Sequence, residues 1–409
     1  MSKVAVIGGG GRLGLRLSLL AANKGHRVFI VDIDEERLNE IKNGNLPFVE
    51  PGAELYLEQA LKNHALVLNL ENNNVSESNV VIITIGTPVD SNLNPSLEPV
   101  AGIIFDLSEY FKKGQLIVFR NTISPQVAQR IKTLIEDKTN LKVGKDIYLA
   151  FAPEFTRDNN TIHDLLKVPQ PVGAFDEKSF EAAETFFRTI TKGKISHLTP
   201  EEVLLAKLMT NMFLYIKSAC ANEFYLIAES FGASIHKIID AVGKENNILN
   251  PNPNAAGPGM HKEGWFLVDR VPFGDLVTTA FKINESIPSY IVQKLEGQKV
   301  NKVVILGMTN KPDSDDPRSS LSYKLRKALF YKDYNVACYD PYLPEYSDSS
   351  VLAGADALIL MTRHAAFKDL EKIKSLVKNN NCLIFDISGF WQELRDVTKS
   401  GFHYLYYAK

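Results

Sequence analysis

The stretch "KVAVIGGGGRLGLRLSLLAANKGHRVFIVDIDEERL" (Lys3–Leu38) decides the fold. Val4–Ile7 is a short apolar run of the kind that a strand buried on both faces of a parallel sheet shows. Gly8 to Gly11 follow, then Leu13, Leu15, Leu17, Leu20 and Ala21 recur at helical spacing, and Val28–Val31 reads as a second strand. Within this strand–turn–helix–strand unit, Gly9-x-Gly11-x-x-Gly14 fits the dinucleotide fingerprint. Glycine is needed there because the turn is tight and the backbone must approach a pyrophosphate seated on the helix N-terminus. Asp32 ends the second strand, where it can bind the adenosine ribose hydroxyls and would repel a 2′-phosphate. The cofactor expected is therefore NAD, held by Gly9, Gly11, Arg12, Leu13 and Asp32. The alternative is a glycine turn that packs helix on strand and holds no ligand.

Further apolar runs follow at 80–86 ("VVIITIG"), 116–119 ("LIVF") and 147–151 ("IYLAF"), with helical segments between them. This is the rhythm of a doubly wound parallel sheet. "IGTP" (Ile85–Pro88) and "RNTISP" (Arg120–Pro125) lie at strand ends, on the sheet edge where cofactors sit, which makes Thr87 and Thr122 cofactor candidates. From about Pro200 one helical stretch runs to Gly232, a natural stop, and its length suggests a link between domains or an oligomer seam. A second helix is expected from Leu276 to about Leu295. The α/β rhythm then restarts from Lys302 with "VVILG", "SLSYKLRKALFY", "NVACYDP", "DALILMT" and "CLIFD". The expected fold class is α/β: a Rossmann-like domain (1–198), a central helical region with a long helix (199–296), and a second, smaller Rossmann-like domain (297–409).

The bulk composition excludes several classes. At 409 residues the chain is too long for one ordinary core. Hydrophobic content of 45% with 23% charged residues is that of a globular protein, and a net charge of −2 gives no global attraction to nucleic acid or anionic membranes. No apolar run near the length of a membrane span is read, and the N-terminus enters a strand directly, so a cytoplasmic location is expected. Cys220, Cys338 and Cys382 are too scattered for a disulfide framework or a zinc site, and no metal is expected.

Lys207 and Asn211 stand at i and i+4 on the long helix, hence on one face. A lysine beside an amide can stabilise an alkoxide or polarise a carbonyl, although a solvated surface lysine has the same spacing. At this point the whole chain resembles the UDP-glucose/GDP-mannose dehydrogenase family, nearest in pattern to the members acting on UDP-N-acetylhexosamines. "IGTP" is similar to the family's V-x-T-P, "NTISP" to S-T-V-P-P, and "APEFTRD" (Ala152–Asp158) to N-P-E-F-L-R-E. "AKLMTNMFLYIKSACANE" (Ala206–Glu223) matches its long helix, and "GMTNKPDSDDPRSS" (Gly307–Ser320) its G-x-x-F-K-x-x-x-D-D-x-R-x-S. The resemblance implies a reaction centre of Thr122, Glu154, Lys207 and Asn211, with Asp158 as a second acidic residue and Phe155 beside the substrate. It implies Lys311 and Arg318 as contacts of the sugar nucleotide, that arginine reaching a neighbouring subunit, and a homodimer through the long helix.

One departure bears on the chemistry. The family oxidises a primary alcohol twice, and its second step uses the cysteine of G-G-x-C-x-x-K-D to trap the aldehyde as a thiohemiacetal. In "GPGMHKEGWF" (Gly257–Phe266), anchored on Trp265–Phe266, Glu263 falls on the motif's Asp, Lys262 on its Lys, Gly257 on a glycine and Gly259 on the cysteine, whereas a gapped alignment that keeps "GPG" fixed deletes the cysteine outright. Gly257, Gly259, Lys262 and Glu263 are thus substrate-side candidates in a glycine-turned loop without a thiol. Cys220 lies about 180° around the helix from Asn211 and reads as a buried packing residue, Cys338 and Cys382 as core. "PQPVG" (Pro169–Gly173) and "DISGFW" (Asp386–Trp391) each lack an arginine of the family, suggesting an altered sugar or phosphate contact. The expected activity is NAD-dependent oxidation of a nucleotide sugar by a single hydride transfer. The alternatives are full oxidation through the aldehyde hydrate, an epimerase or dehydratase using bound NAD, and a retired binding protein.

Overall fold

The computed structural model describes residues 1–86, 98–156, 161–243, 246–268, 271, 273–391 and 403–404. Thr87 and Asp158, both site candidates, lie outside the described residues. The chain divides into two compact units, one of Met1–Thr210 with the short stretch from Trp265, the other of Asn211–Gly264 with the remaining C-terminal chain.

The first unit is an eight-stranded sheet in the order β3-β2-β1-β4-β5-β6-β7-β8. Its strands are β1 (Lys3–Ile7), β2 (Arg27–Val31), β3 (Leu66–Asn69), β4 (Val80–Ile83), β5 (Leu116–Phe119), β6 (Tyr148–Phe151), β7 (Gln170–Ala174) and β8 (Ile195–Leu198). The order reverses between β1 and β4, which fixes the cofactor crevice at the carboxyl ends of these strands. Alternate residues of each strand feed opposite faces. Val4, Val6, Val28 and Ile30 join one core layer, while Ala5, Ile7, Phe29 and Val31 join the other. Coverage on both faces is why these strands read as unbroken apolar runs. The layers are closed by α1 (Arg12–Asn23), α2 (Glu35–Lys42), α3 (Ala53–Lys62), α4 (Glu98–Leu107), α5 (Ala128–Thr139), α6 (Thr161–Leu165) and α7 (Glu177–Ile190). The sheet is not wholly parallel, because β7 runs antiparallel to β6.

The long helix α8 spans Pro200–Ser230, and Gly232, at φ +66°, stops it as C′, with the Ala233 N–H returning to the Ala228 carbonyl at 2.8 Å. At 31 residues and a mean hydropathy of 1.2 over its most apolar 18, α8 is long and apolar enough to cross a membrane, although charged and polar residues break its apolar run. Its two faces differ. Met209, Phe213, Phe224 and Ile227, with Phe231 just past the end, are all exposed and fall within about 60° of one another around the axis. Lys207, Asn211, Tyr215 and Asn222 are half-buried or buried on the other side. Cys220 belongs to the outer stripe and is exposed, which corrects its reading as a packing residue; a spacing that puts it opposite Asn211 puts it among exposed side chains. The second expected helix is Asp275–Leu295.

In the second unit β9 (Lys302–Leu306), β10 (Asn335–Tyr339), β11 (Ala357–Leu360), β12 (Leu383–Phe385) and β13 (His403–Tyr404) form a parallel sheet in the order β10-β9-β11-β12-β13. Cys338, in β10, and Cys382, before β12, are buried, and burial pushes their thiols up to about 11 and about 12.

Candidate functional site

The glycine turn after β1 fits a dinucleotide on three observations. Gly14 has no room for a side chain, since a Cβ would lie 2.5 Å from the Gly8 carbonyl oxygen and 2.6 Å from the Gly9 Cα, so α1 can lie this close to the turn only with glycine. Gly11 is the N-cap of α1 and no side chain caps it, leaving the first-turn N–H groups for an anion. Asp32 is 8% exposed; its Oδ2 accepts from the Gly10 N–H at 2.9 Å and its Oδ1 from the Asp34 N–H at 3.2 Å, so the carboxylate is held at the ribose end of the turn. Arg37 stands 3.8 Å from Asp32 Oδ1, a neighbour that the fingerprint reading did not include. Thr84, after β4, donates to the Ile7 and Gly8 carbonyls at 2.8 and 3.0 Å and locks the turn. Arg12 stacks 4.8 Å above the Phe48 ring, and Leu13 follows it in the first turn of α1.

The ends of β5 and β6 bring Thr122, Glu154 and Phe155 to the same sheet edge. Beneath them is a buried chain of charge. Arg120, fully enclosed, donates from Nη1 to the Ala152 carbonyl at 2.8 Å and to Gln170 Oε1 at 2.5 Å, and its Nη2 lies 3.7 Å from Glu154 Oε2. Glu154 accepts from the Thr156 hydroxyl and lies 3.9 Å from Arg16, which pairs with Glu50 at 2.6 Å. Desolvation lowers the pKa of Arg120, and Glu154 opposes that shift. Gln170 occupies the place in "PQPVG" where an altered sugar contact was expected. It is 5% exposed and accepts from Arg120, just after β5, so this side chain is engaged inside the protein. Likewise Asp386 of "DISGFW" closes its own turn, accepting from the Ser388 hydroxyl and the Trp391 N–H. Beside Thr122, the Asn121 amide atoms and the Ser124 hydroxyl are buried without a hydrogen-bond partner among the described residues. Both lie in the "NTISP" segment, of which only Thr122 is a candidate from sequence. Lys207, on α8, places its ammonium 5.8 Å from the Phe155 ring centroid.

In the second unit the expected loop is helical from Met260, in a helix spanning Met260–Val268. The two glycines concealed it: Gly259 is the turn before the helix, its carbonyl accepting from the Lys262 and Glu263 N–H groups at 3.2 and 3.0 Å. Glu263 is 3% exposed and its Oε2 accepts from Asn211 Nδ2 at 2.6 Å. A Cβ on Gly259 would stand 2.7 Å from Glu263 Oε1, so the carboxylate occupies the space into which a side chain at 259 would project. Gly257, at φ +146°, carries the chain into this turn. Burial lowers the pKa of Lys262, the Arg318 charge lowers it further and Glu263 opposes both. Arg318 is forked onto Asp316 at 2.8 and 2.7 Å and remains 61% exposed. Lys311 lies in the same loop, its carbonyl accepting from the Thr309 hydroxyl at 3.1 Å. Among the described residues no group of histidine, cysteine and carboxylate side chains could hold a metal.

Three family models cover the chain. The UDP-glucose/GDP-mannose dehydrogenase NAD binding domain matches residues 2–191, the central domain 201–286 and the UDP binding domain 304–393. A UDP-N-acetyl-D-mannosamine dehydrogenase of Methanococcus vannielii is 30% identical, covering 91% of this chain and 88% of that one. One from Methanococcus aeolicus is 29% identical over 96% and 93%. The solved structure of the Pyrococcus horikoshii UDP-D-ManNAc dehydrogenase superposes with a TM-score of 0.87 at 27% identity, over 99% of both chains. With the glycine turn and Asp32 suited to NAD, and with these matches running in order along its length, the chain belongs to the UDP-glucose/GDP-mannose dehydrogenase family of NAD-dependent nucleotide-sugar dehydrogenases.

Proposed function

We propose that the protein oxidises a UDP-N-acetylhexosamine with NAD by one hydride transfer and releases the carbonyl product. The observation that supports this reading is the Gly259–Glu263 pair: the aligned position carries no thiol, and the buried Glu263 carboxylate stands where a side chain at 259 would begin, so the loop offers no nucleophile for a thiohemiacetal. The UDP-N-acetyl-D-mannosamine dehydrogenases supply the substrate class. Lys207 and Asn211 are the donors for the alkoxide that forms as the alcohol loses its proton, and Thr122, Glu154, Phe155 and Asp158 complete the reaction centre. NAD, when bound along the glycine turn, supplies the hydride acceptor. Lys262, Lys311 and Arg318 hold the diphosphate; the downward push of Arg318 on Lys262 marks a place where positive charge accumulates. A panel of UDP- and GDP-sugars tests this. One NADH per sugar is expected, with a product lighter by two hydrogens and kcat within about twofold after iodoacetamide treatment. Two NADH and a uronate would sink it.

A second reading is favoured by Glu263 itself. A buried carboxylate bonded to Asn211 could take a proton from water adding to the aldehyde, and the resulting hydrate could lose a second hydride. It expects two NADH, the same indifference to alkylation and no covalent intermediate, so the same assay separates the two.

The exposed stripe of α8 suits a homodimer seam, since five large apolar side chains in one line are an unusual solvent face. Sedimentation is expected to give a dimer for the natural protein and a monomer for Phe213→Glu/Phe231→Glu. A monomeric natural protein at micromolar concentration would end this proposal.

A further inference from the structure

Within the second unit, a continuous line of amides, buried except for the half-buried Asn252, runs from the inner face of α8 to the loop that carries Lys311 and Arg318. Asn284 donates to the Tyr215 carbonyl at 3.2 Å and accepts from Asn222 Nδ2 at 2.9 Å. Asn222 grips the backbone of Asn252 from both sides, donating to its carbonyl at 3.0 Å and accepting from its N–H at 2.8 Å. The Asn252 side chain in turn accepts from the Asn254 N–H at 3.1 Å. Asn254 is 2% exposed and is the hub. Its Nδ2 donates to the Thr309 carbonyl at 2.8 Å and to the Ser320 and Thr362 hydroxyls, each at 3.0 Å. Its Oδ1 accepts from the Leu321 N–H at 2.7 Å.

Thr309 and Ser320 bracket Lys311 and Arg318, while Asn254 lies a few residues before Gly259, Lys262 and Glu263. Asn222 stands three turns along α8 from Asn211, about 20° off the same face, so α8 holds this segment at both ends: at Asn252 through Asn222, and at Glu263 through Asn211. We propose that Asn254 is a positioning residue that sets the segment of Gly259–Glu263 against the loop of Lys311 and Arg318, so that the sugar is presented correctly once the diphosphate is held. The inference rests on the assignment of those two segments to the substrate under Proposed function. Neither the dinucleotide fingerprint nor the family motifs quoted above include Asn254.

The test uses the full-length Asn254→Ala and Asn254→Asp variants. Asp keeps the acceptor for Leu321 but turns an acceptor toward the Thr309 carbonyl, and regains a donor only when protonated. For Asn254→Ala, kcat is expected to fall about 30-fold and the calorimetric Kd for UDP to weaken by less than about fivefold, since Lys262, Lys311 and Arg318 keep their charges, while the KM for NAD stays within about twofold because the cofactor turn is untouched. For Asn254→Asp, activity relative to the natural protein is expected to rise as the pH is lowered. Amide exchange over residues 255–263 is expected to accelerate in both variants, with 303–306 unchanged. A kcat within threefold of the natural protein, or UDP and NAD affinities falling in step with kcat, would overturn the proposal; the second pattern is that of general misfolding. Should Asn254→Ala not fold, Asn252→Gly removes the adjoining link and is expected to show the same pattern more weakly; unchanged kcat and exchange there count equally against it. A natural protein inactive on every sugar would sink the functional reading alone, because the exchange result decides the tether without turnover.

Discussion

Gly259→Cys alone is expected to leave the yield at one NADH per sugar, and the paired Gly259→Cys/Glu263→Asp variant to raise it toward two. Restoring the thiol at the aligned position looks sufficient from sequence, but the space is taken. A Cβ at 259 would meet Glu263 Oε1 at 2.7 Å and Cδ at 3.2 Å. Glu263 Oε1 must shift to admit the side chain, while Oε2 is anchored by the 2.6 Å bond from Asn211, and a hydrogen bond to a charged group is worth about 1.5–3 kcal/mol. Removing one methylene at 263 withdraws the carboxylate from that space. The new thiolate then adds to the aldehyde carbon, the thiohemiacetal gives its hydride to a second NAD, and water splits the thioester to carboxylate and thiol. NADH stoichiometry with product mass reads the result, and iodoacetamide should return the double variant to one NADH. A second NADH from the single variant would show that Glu263 is no obstacle. A double variant that stays at one, though folded, would show that position 259 does not face the carbonyl carbon.

The fold was legible where the sheet is covered on both faces and opaque at its margins. β1, β2, β4, β5 and β6 are unbroken apolar runs because both core layers draw on them. β3 and β8 sit on the two edges with mostly half-buried residues, and their apolar runs are short: Leu66–Leu68 in β3, and Ile195 and Leu198 parted by Ser196 and His197 in β8. β7 holds Pro171, which argues against a strand; it is tolerated because β6 pairs only with Gly173 and Ala174. The dinucleotide turn could be read because its chemistry is local: three glycines, a helix start and one carboxylate. The charge chain under Glu154 could not, since Arg120 finds its partners 32 and 50 residues away. The exclusion at Gly259 was equally hidden. The alignment places Glu263 on an acidic position, and only the first helical turn after Gly259 brings that carboxylate back over it. Cys220 shows the converse, a correct angular reading joined to a wrong burial, because spacing says which residues share a face but not whether anything covers it.

Lys207→Ala is expected to lower kcat about 10³-fold while leaving the affinity for UDP within about twofold, since losing one donor aimed at a developing oxyanion costs about 10²–10³ in rate and this donor is also charged. The substitution is a clean probe. Position 207 lies inside α8, alanine is the residue most at ease in a helix, and the side chain is half-buried beside Phe155 rather than packed in either core layer. Lys207→Arg keeps the charge but spreads it over a planar fork, so it should recover only part of the loss. A fall smaller than about tenfold, or UDP affinity moving in step with kcat, would remove Lys207 from the reaction centre. The decisive comparison is with Asn211→Ala, which also frees Glu263 from its 2.6 Å tether. If Lys207 and Asn211 serve one alkoxide, their losses will not add, and the double variant will fall well short of the product of the two single effects. Independent contributions, multiplying fully, would mean that Asn211 acts on the enzyme only through the placement of Glu263, and that Lys207 stabilises the alkoxide alone.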